Sequence, residues 1–170
     1  SAVFRQRDAF YIPDWTNDVH YEMEVVVRIN RLGKNIESRF APKYYQEFTI
    51  GIDFTARDVQ SQLKAKGLPW EKAKAFDQSA VLGEFLSADE YDLSNLNFIL
   101  YKNGDLVQDG NTSLMLHNIP NIIEHCSQYF TLKIGDLIFT GTPEGVGPVT
   151  SGDLLEGYIE GEKVLNVKIK

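Results

Sequence analysis

The chain has 170 residues, of which 43% are hydrophobic and 12% aromatic, enough for a real core and too many for a disordered chain. Its 17 basic and 24 acidic residues give a net charge of −7, which argues against a basic surface for nucleic acids or anionic membranes. The single cysteine, Cys126, excludes an internal disulfide framework and a cysteine zinc site. We therefore expect a cytoplasmic protein, and no apolar run is long enough to predict a membrane span.

Five segments carry the β-branched and apolar residues typical of strands. They are, in chain order, Val19–Ile29, Phe48–Thr55, Asp136–Thr140 and two short segments near Tyr158–Ile159 and Val164–Ile169. Between them, Asn103-Gly104 is the strongest short signal for a hairpin turn, and it lies within the apolar pattern of Asn97–Val107.

Two segments are predicted to be helices. Arg57–Gly67 is a short one that ends at its glycine, and Ile119–Tyr129 places apolar residues and Cys126 on one face. Strands outnumber helices and do not alternate with them regularly, which argues against a doubly wound sheet. The sequence therefore predicts a single β-rich α+β domain over residues 1–170.

Two glutamates interrupt the apolar pattern of the first predicted strand. Period-two alternation puts Glu22 and Glu24 on one face, together with His20. If both faces are covered, two buried carboxylates lie side by side, which costs several kcal/mol or raises their pKa values. A divalent cation between them would remove that cost. A sheet with one solvated face is the alternative, and this strand alone favours neither.

A third acid lies within the second predicted strand, where Asp53 follows Ile52 in the segment GIDFTARD. Three carboxylates from two strands, without a His-x-His pair or a cysteine, form a hard oxygen site. Such a site suits Mg²⁺, Mn²⁺ or Ca²⁺. The alternative is that Asp53 or Asp58 only pairs with Arg57.

The segment TGTPEGVGP, residues 140–148, is rich in glycine but has no lysine of the phosphate-loop pattern. It can present backbone N–H groups and the hydroxyl of Thr140 or Thr142 to an anionic substrate. A tight turn between strands is the alternative, and the spacing alone favours it. Lys74, taken alone, is typical of a solvated surface lysine.

Taken together, these segments resemble the fumarylacetoacetate hydrolase family. The matching stretches are HYEMEVVVRI, YYQEFTIGIDFTARDVQ, LPWEKAKAFDQSAVLG, FTLKIGDLIFTGTPEGVGPV and GDLLEGYIEGE, in order from about Asp14 to Glu162. The chain is most similar to short members called acylpyruvases, fumarylpyruvate hydrolases or oxaloacetate decarboxylases. The resemblance implies a mixed β-sandwich roll with a few short helices, and a homodimer.

The resemblance also implies roles for individual residues. Mg²⁺ or Mn²⁺ would be bound by Glu22, Glu24 and Asp53; the catalytic residues would be Lys74, Arg57 and Gln60; and the substrate would be held by Thr142, Gly141 and Arg57. His20 would lie near the metal ligands without being one of them.

One feature of the family pattern is absent. Family members usually begin with a segment that carries an Asn-Tyr, then a His–Glu pair on a mobile lid helix, then a Lys-Pro pair, and the His–Glu pair activates the attacking water. Ser1–Arg5 resembles the residues that follow that Lys-Pro. We therefore expect the lid and the general base in a segment that precedes Ser1.

These observations predict a metal-dependent hydrolase that cleaves the C–C bond of a small β-diketo acid of the acylpyruvate or fumarylpyruvate type. Decarboxylation of oxaloacetate would fit the same site. One alternative is an isomerase of 2-hydroxy-dienedioate or 2-oxo-enedioate substrates in aromatic catabolism. An alternative of another class is a non-catalytic, cation-stabilised module that binds a ligand.

Overall fold

The computed structural model describes residues 2–5 and 9–170, so part of the opening segment Ser1–Asp8 lies outside the described residues. The described residues form thirteen strands and three α-helices. The strands are β1 (Val3–Arg5), β2 (Val19–Tyr21), β3 (Met23–Ile29), β4 (Tyr45–Asp53), β5 (Thr55–Ala56), β6 (Ala80–Leu82), β7 (Leu86–Ser87), β8 (Asn97–Lys102), β9 (Asp105–Asn111), β10 (Leu137–Phe139), β11 (Gly147–Pro148), β12 (Leu154–Ile159) and β13 (Glu162–Lys168).

The helices are α1 (Arg57–Ala65), α2 (Glu71–Lys74) and α3 (Ile119–Tyr129). Short 3₁₀ helices cover Ser38–Tyr44, Ala88–Glu90 and Thr112–Leu114. The prediction of a β-rich α+β fold is confirmed. No helix within residues 2–5 and 9–170 has the length and apolar character needed to cross a membrane.

The strands form three sheets. The largest has the order β1-β6-β4-β3-β10, with β7 also paired to β4; a three-stranded sheet has the order β11-β2-β5; and a four-stranded sheet has the order β13-β12-β8-β9. The pair β1–β6 is parallel, and the other strand pairs are antiparallel. One cluster of buried apolar side chains draws on all three sheets, for example Val25, Tyr21 and Leu155.

Both predicted helices and the predicted hairpin are confirmed. Helix α1 begins at Arg57 and is followed by Gly67, whose φ of 64° is the left-handed conformation that ends helices. Helix α3 has the predicted bounds, and its Asn118 side chain accepts from the Asn121 N–H at the N-terminus. Asn103 and Gly104 both have positive φ, as a two-residue hairpin turn between β8 and β9 requires.

The prediction of one continuous strand over Val19–Ile29 is wrong. The chain is divided at Glu22 into β2 of the three-stranded sheet and β3 of the largest sheet. The second predicted strand, Phe48–Thr55, is divided in the same way at Phe54 into β4 and β5. The two crossings are neighbours, because the Asp53 N–H donates to the Glu22 carbonyl at 2.8 Å. Acidic residues from both chain segments therefore lie where two sheets meet.

Candidate active site

Three carboxylates converge at this junction of sheets. Glu22, Glu24 and Asp53 each offer an oxygen atom, and these atoms all lie within 4.8 Å of one another. Glu22 is 8% exposed and Glu24 is 6% exposed. Lys74 and Arg57 contact Glu22, and the Gly141 N–H of the loop after β10 contacts Glu24. The alternative of a solvated glutamate face is therefore wrong. The acids lie in the interior, where a charge needs a partner.

Lys74 provides one such partner. Its Nζ donates to Glu22 Oε2 at 2.6 Å, to Asp53 Oδ2 at 2.7 Å and to Thr55 Oγ1 at 2.6 Å. The short helix α2 ends at this lysine and brings it to the junction. The interpretation of Lys74 as a solvated surface residue is wrong, since its side chain is 25% exposed and its ammonium group is fully hydrogen-bonded.

Arg57, the first residue of α1, provides the second partner. Its Nη2 donates to Glu22 Oε1 at 2.6 Å, and its Nη1 donates to Gln60 Oε1 at 2.7 Å. Gln60 lies three residues further along the helix, which places it on the same face as Arg57. Arg57 is therefore hydrogen-bonded to Glu22 and not to Asp53 or Asp58, so the alternative that Asp53 or Asp58 only pairs with Arg57 is wrong.

The cationic side chains of Lys74 and Arg57 shift the pKa values of the three acids unequally. Burial raises the pKa of Glu22, but hydrogen bonds and charges from Lys74 and Arg57 outweigh burial and hold its pKa below the ordinary value. Burial also raises the pKa of Asp53, and here the contacts of Lys74 do not fully offset it. Lys74 itself has a raised pKa: its burial opposes the charge, but its hydrogen bonds to the two acids favour it more strongly.

Glu24 has the most perturbed pKa of the three. Burial raises the pKa of Glu24 to about 7, although a hydrogen bond from the Gly141 N–H to its Oε2 at 2.7 Å acts in the opposite direction. The negative charges of Asp53 and Glu22 raise it further. A buried carboxylate next to two others is costly as an anion unless a cation binds beside it.

The loop of residues 140–146 runs from β10 of the largest sheet to β11 of the three-stranded sheet. It is not a tight turn between neighbouring strands, because β10 pairs with β3 whereas β11 pairs with β2. Thr140 anchors it: its N–H and its Oγ1 both donate to the Val25 carbonyl, at 3.1 and 2.8 Å. Gly141, with φ of 99°, turns its N–H toward Glu24, and Thr142 follows at the same site.

The structure brings together the predicted residues and adds two others. Three of the predicted residues donate hydrogen bonds to the acids, namely Lys74, Arg57 and Gly141. Gln60 is bonded to Arg57. Thr142 is bonded to Gln108, a residue that no sequence signal indicated. Gln108 lies on β9, which reaches the site only through the packing of the sheets. Thr55 lies two residues after Asp53 in the second predicted strand, and period-two alternation therefore indicates that the two side chains share a face. His20 is bonded to Asp18 Oδ1 at 2.9 Å and stands outside the carboxylate cluster.

The donor set fits a hard divalent cation. It consists of three carboxylates, which Mg²⁺ and Mn²⁺ prefer, and it contains no sulfur or imidazole ligand. Within the described residues, the hydrogen bonds of the Glu24 carboxylate do not include a basic side chain, so a bound cation would remove the cost of its burial. The acidic cluster can therefore hold a metal ion.

Comparison with known proteins finds one matching family model and related sequences. The family model "Fumarylacetoacetate (FAA) hydrolase C-terminal" matches residues 1–170. Oxaloacetate tautomerase YcgM of Escherichia coli strain K12 is 40% identical over 166 residues, which are 96% of this chain and 76% of that protein. The mitochondrial oxaloacetate decarboxylase of Dictyostelium discoideum is 38% identical over 151 residues, or 88% of this chain and 69% of that protein.

Two solved structures show the same fold. Fumarylpyruvate hydrolase from Pseudomonas aeruginosa, in complex with Mn²⁺ and pyruvate, is 32% identical with a TM-score of 0.92, covering 99% of this chain and 74% of the other. The 2-hydroxyhepta-2,4-diene-1,7-dioate isomerase of Mycobacterium marinum is 35% identical with a TM-score of 0.90, covering 99% and 65%. The chain belongs to the fumarylacetoacetate hydrolase family, whose members include hydrolases, isomerases and decarboxylases.

Proposed function

We propose that this member of the fumarylacetoacetate hydrolase family cleaves the C–C bond of a small β-diketo acid of the acylpyruvate or fumarylpyruvate type. The proposal includes Mg²⁺ or Mn²⁺ at Glu22, Glu24 and Asp53. The observation that carries it is the convergence of these three buried carboxylates with two cationic side chains. The Mn²⁺ and pyruvate complex of the related Pseudomonas aeruginosa hydrolase supports both the metal and a 2-oxo acid.

The charge of the site suits an anionic substrate. Three carboxylates with Lys74 and Arg57 sum to −1 when all are ionised, so a divalent cation would bring the site to +1. When bound, the cation supplies Lewis-acid stabilisation of negative charge on the substrate oxygens. Lys74 and Arg57 add fixed positive charge at the same place, and Gln60 holds the guanidinium in position. Thr142 and Gly141 would hold the substrate carboxylate.

The reaction begins when water adds to the ketone carbon that lies farther from the carboxylate of the β-diketo acid. The bond from that carbon to the methylene group then breaks, and its electron pair stays with the pyruvate fragment as an enolate. A proton added to the methylene carbon gives pyruvate, and the other product is the carboxylic acid. The water requires a general base.

A second candidate activity is decarboxylation or keto–enol tautomerisation of oxaloacetate. The names of the Escherichia coli and Dictyostelium discoideum relatives favour it. Both reactions pass through the enol or enolate of a 2-oxo acid, as the hydrolysis does, but neither needs an attacking water. A double-bond isomerase is a further candidate, favoured by the Mycobacterium marinum structure. Product analysis separates these candidates, because an isomerase or tautomerase leaves the carbon count unchanged.

The experiment is a panel of acetylpyruvate, fumarylpyruvate and oxaloacetate, tested on the full-length protein with defined Mg²⁺ or Mn²⁺. We expect turnover that EDTA abolishes and that Glu22→Ala and Asp53→Ala each remove. Glu90→Ala is the matched control, because Glu90 is an exposed glutamate outside the cluster. Full activity in EDTA, or unchanged turnover in the two cluster variants, would contradict the metal assignment.

We further propose that residues 1–170 form one catalytic domain and that the protein is a cytoplasmic homodimer. The single buried cluster shared by all three sheets supports one domain. Leu114 and Leu116, which are 80% and 97% exposed, are apolar surface that association would cover. Light scattering coupled to size-exclusion chromatography tests the dimer, and a monomeric mass at micromolar concentration would contradict it.

A further inference from the structure

One buried amide connects the two halves of the site. Gln108 lies on β9 of the four-stranded sheet and is only 1% exposed. Its Oε1 accepts from the Met23 N–H at 3.0 Å, and its Nε2 donates to Thr142 Oγ1 at 2.9 Å and to the Pro143 carbonyl at 3.0 Å. The Glu144 carbonyl is also near Nε2, at 3.5 Å. A single side chain thus joins the strand that carries the acids to the loop that carries Thr142.

The partners determine which way the amide points. The Met23 N–H can only donate and the Pro143 carbonyl can only accept, so the oxygen of Gln108 must face Met23 and the nitrogen must face the loop. The amide nitrogen of Gln108 has no lone pair to offer. The Thr142 hydroxyl oxygen therefore accepts this bond, and its own proton is left to donate to another group.

The loop also packs closely on β9 beside Gln108. A Cβ atom added at Gly145 would overlap the carbonyl oxygen of Val107, and it would lie 3.3 Å from the Gln108 side chain. The φ of Gly145 is 95°, a conformation that favours glycine. The backbone of the loop therefore approaches β9 as closely as a residue without a side chain allows.

We propose that Gln108 is a positioning residue, which holds the 141–144 loop against the strand between Glu22 and Glu24 and orients the Thr142 hydroxyl as a donor to the substrate carboxylate. This inference rests on the proposed function, in which Thr142 contacts the substrate. Gln108 itself does not touch the reacting atoms. Its effect on turnover passes through Thr142, which gives it a distinctive signature in a double-mutant cycle.

The test compares Gln108→Met, Thr142→Val and the double variant at saturating metal. Methionine has a similar length but cannot make the amide's hydrogen bonds. Each single variant should lower kcat/KM by about tenfold to a hundredfold, the effect of losing a hydrogen bond to a charged group, with a raised KM. Because both changes remove the same oriented hydroxyl, the double variant should lie within about threefold of Thr142→Val. Gln128→Met, at an exposed glutamine on α3, is the control and should retain wild-type kinetics.

Hydrogen exchange in residues 141–146 gives a second readout that does not depend on turnover. Gln108→Met should speed exchange in this segment, whereas Gln128→Met should not. Wild-type exchange in Gln108→Met, or effects on kcat/KM that multiply in the double variant, would overturn the inference. Faster exchange in Gln108→Met would support the role of Gln108 in holding the loop even if the wild-type protein were inactive. An inactive wild-type protein would count against the proposed function instead.

Discussion

Replacement of Lys74 by methionine tests the electrostatic balance of the site. The ammonium group makes hydrogen bonds of 2.6 to 2.7 Å to Glu22, Asp53 and Thr55. The side chains of Glu22 and Asp53 are only 11% and 21% exposed, so Lys74→Met leaves partly buried carboxylates without their main partner. Breaking such a pair costs about 3 to 5 kcal/mol.

We expect the lower end of that range, about 3 kcal/mol, for two reasons. Glu22 keeps its hydrogen bond from Arg57, and Asp53, whose pKa is already raised by burial, can take up a proton. For a chain of this size, the loss corresponds to a fall in Tm of about 10 °C in EDTA.

A divalent cation should reverse much of this loss. With every group ionised, the three acids and their basic partners carry −1 in the wild type and −2 without Lys74, so a bound cation that displaces the proton from Asp53 neutralises more negative charge in the variant. Ligand binding stabilises the native state by mass action, by about 2.7 kcal/mol at a hundredfold excess over Kd. Calorimetry with and without Mn²⁺ should therefore show a larger metal-induced rise in Tm for Lys74→Met than for the wild type.

The exposed Lys72 on the same helix α2 offers a matched control, since Lys72→Met removes a lysine without touching the cluster. It should melt like the wild type with and without metal. The reasoning is refuted if Lys74→Met melts with the wild type in EDTA, or if its metal-induced shift is equal or smaller.

Two further predictions concern parts of the chain outside the acidic cluster. Asp58→Asn should cost about 1 kcal/mol at neutral pH, the usual net contribution of a hydrogen bond. Burial opposes the charge of Asp58, but the Thr16 hydroxyl, at 2.6 Å, and nearby backbone N–H groups outweigh burial and lower the pKa of this carboxyl. Stability from a lowered pKa is present above the unfolded-state pKa and is lost as pH falls through the folded one, so urea titrations of variant and wild type should converge in acid. Gly145→Ala should destabilise the protein far more than Gly67→Ala. Both glycines have positive φ, but only a Cβ atom at Gly145 would meet the Val107 carbonyl. Equal urea midpoints for the two variants would contradict the close approach of loop and strand.

Local structure could be predicted from the sequence where it depends on neighbouring residues. The bounds of α3, the start of α1 and the turn at Asn103-Gly104 follow from helical periodicity, a terminal glycine and positive-φ preferences. The spacing of Glu22 and Glu24 likewise predicted acids on a shared face, and a third acid in the next strand predicted an oxygen site.

The three-dimensional relation of these pieces required the tertiary structure. Alternation along one strand cannot show that the chain leaves one sheet for another at Glu22, because that crossing depends on which strands pair. Nor can it distinguish a solvated Lys74 from one bonded to two acids, since the difference arises from where α2 packs. Gln108 shows the limit most clearly: it is more than eighty residues from Met23 along the chain and carries no spacing signal.

Composition bounded the chemistry of this protein, and tertiary structure decided where that chemistry is located. From the chain alone, the net charge of −7 argued against a basic nucleic-acid surface, and the single cysteine argued against a thiolate metal site. The same charge, viewed in the fold, separates into a solvated majority and three acids gathered within 4.8 Å. That gathering is a property of sheet packing, because contacts between distant segments bring Asp53, Lys74 and Arg57 to the two glutamates, and the two cationic side chains stabilise the acids.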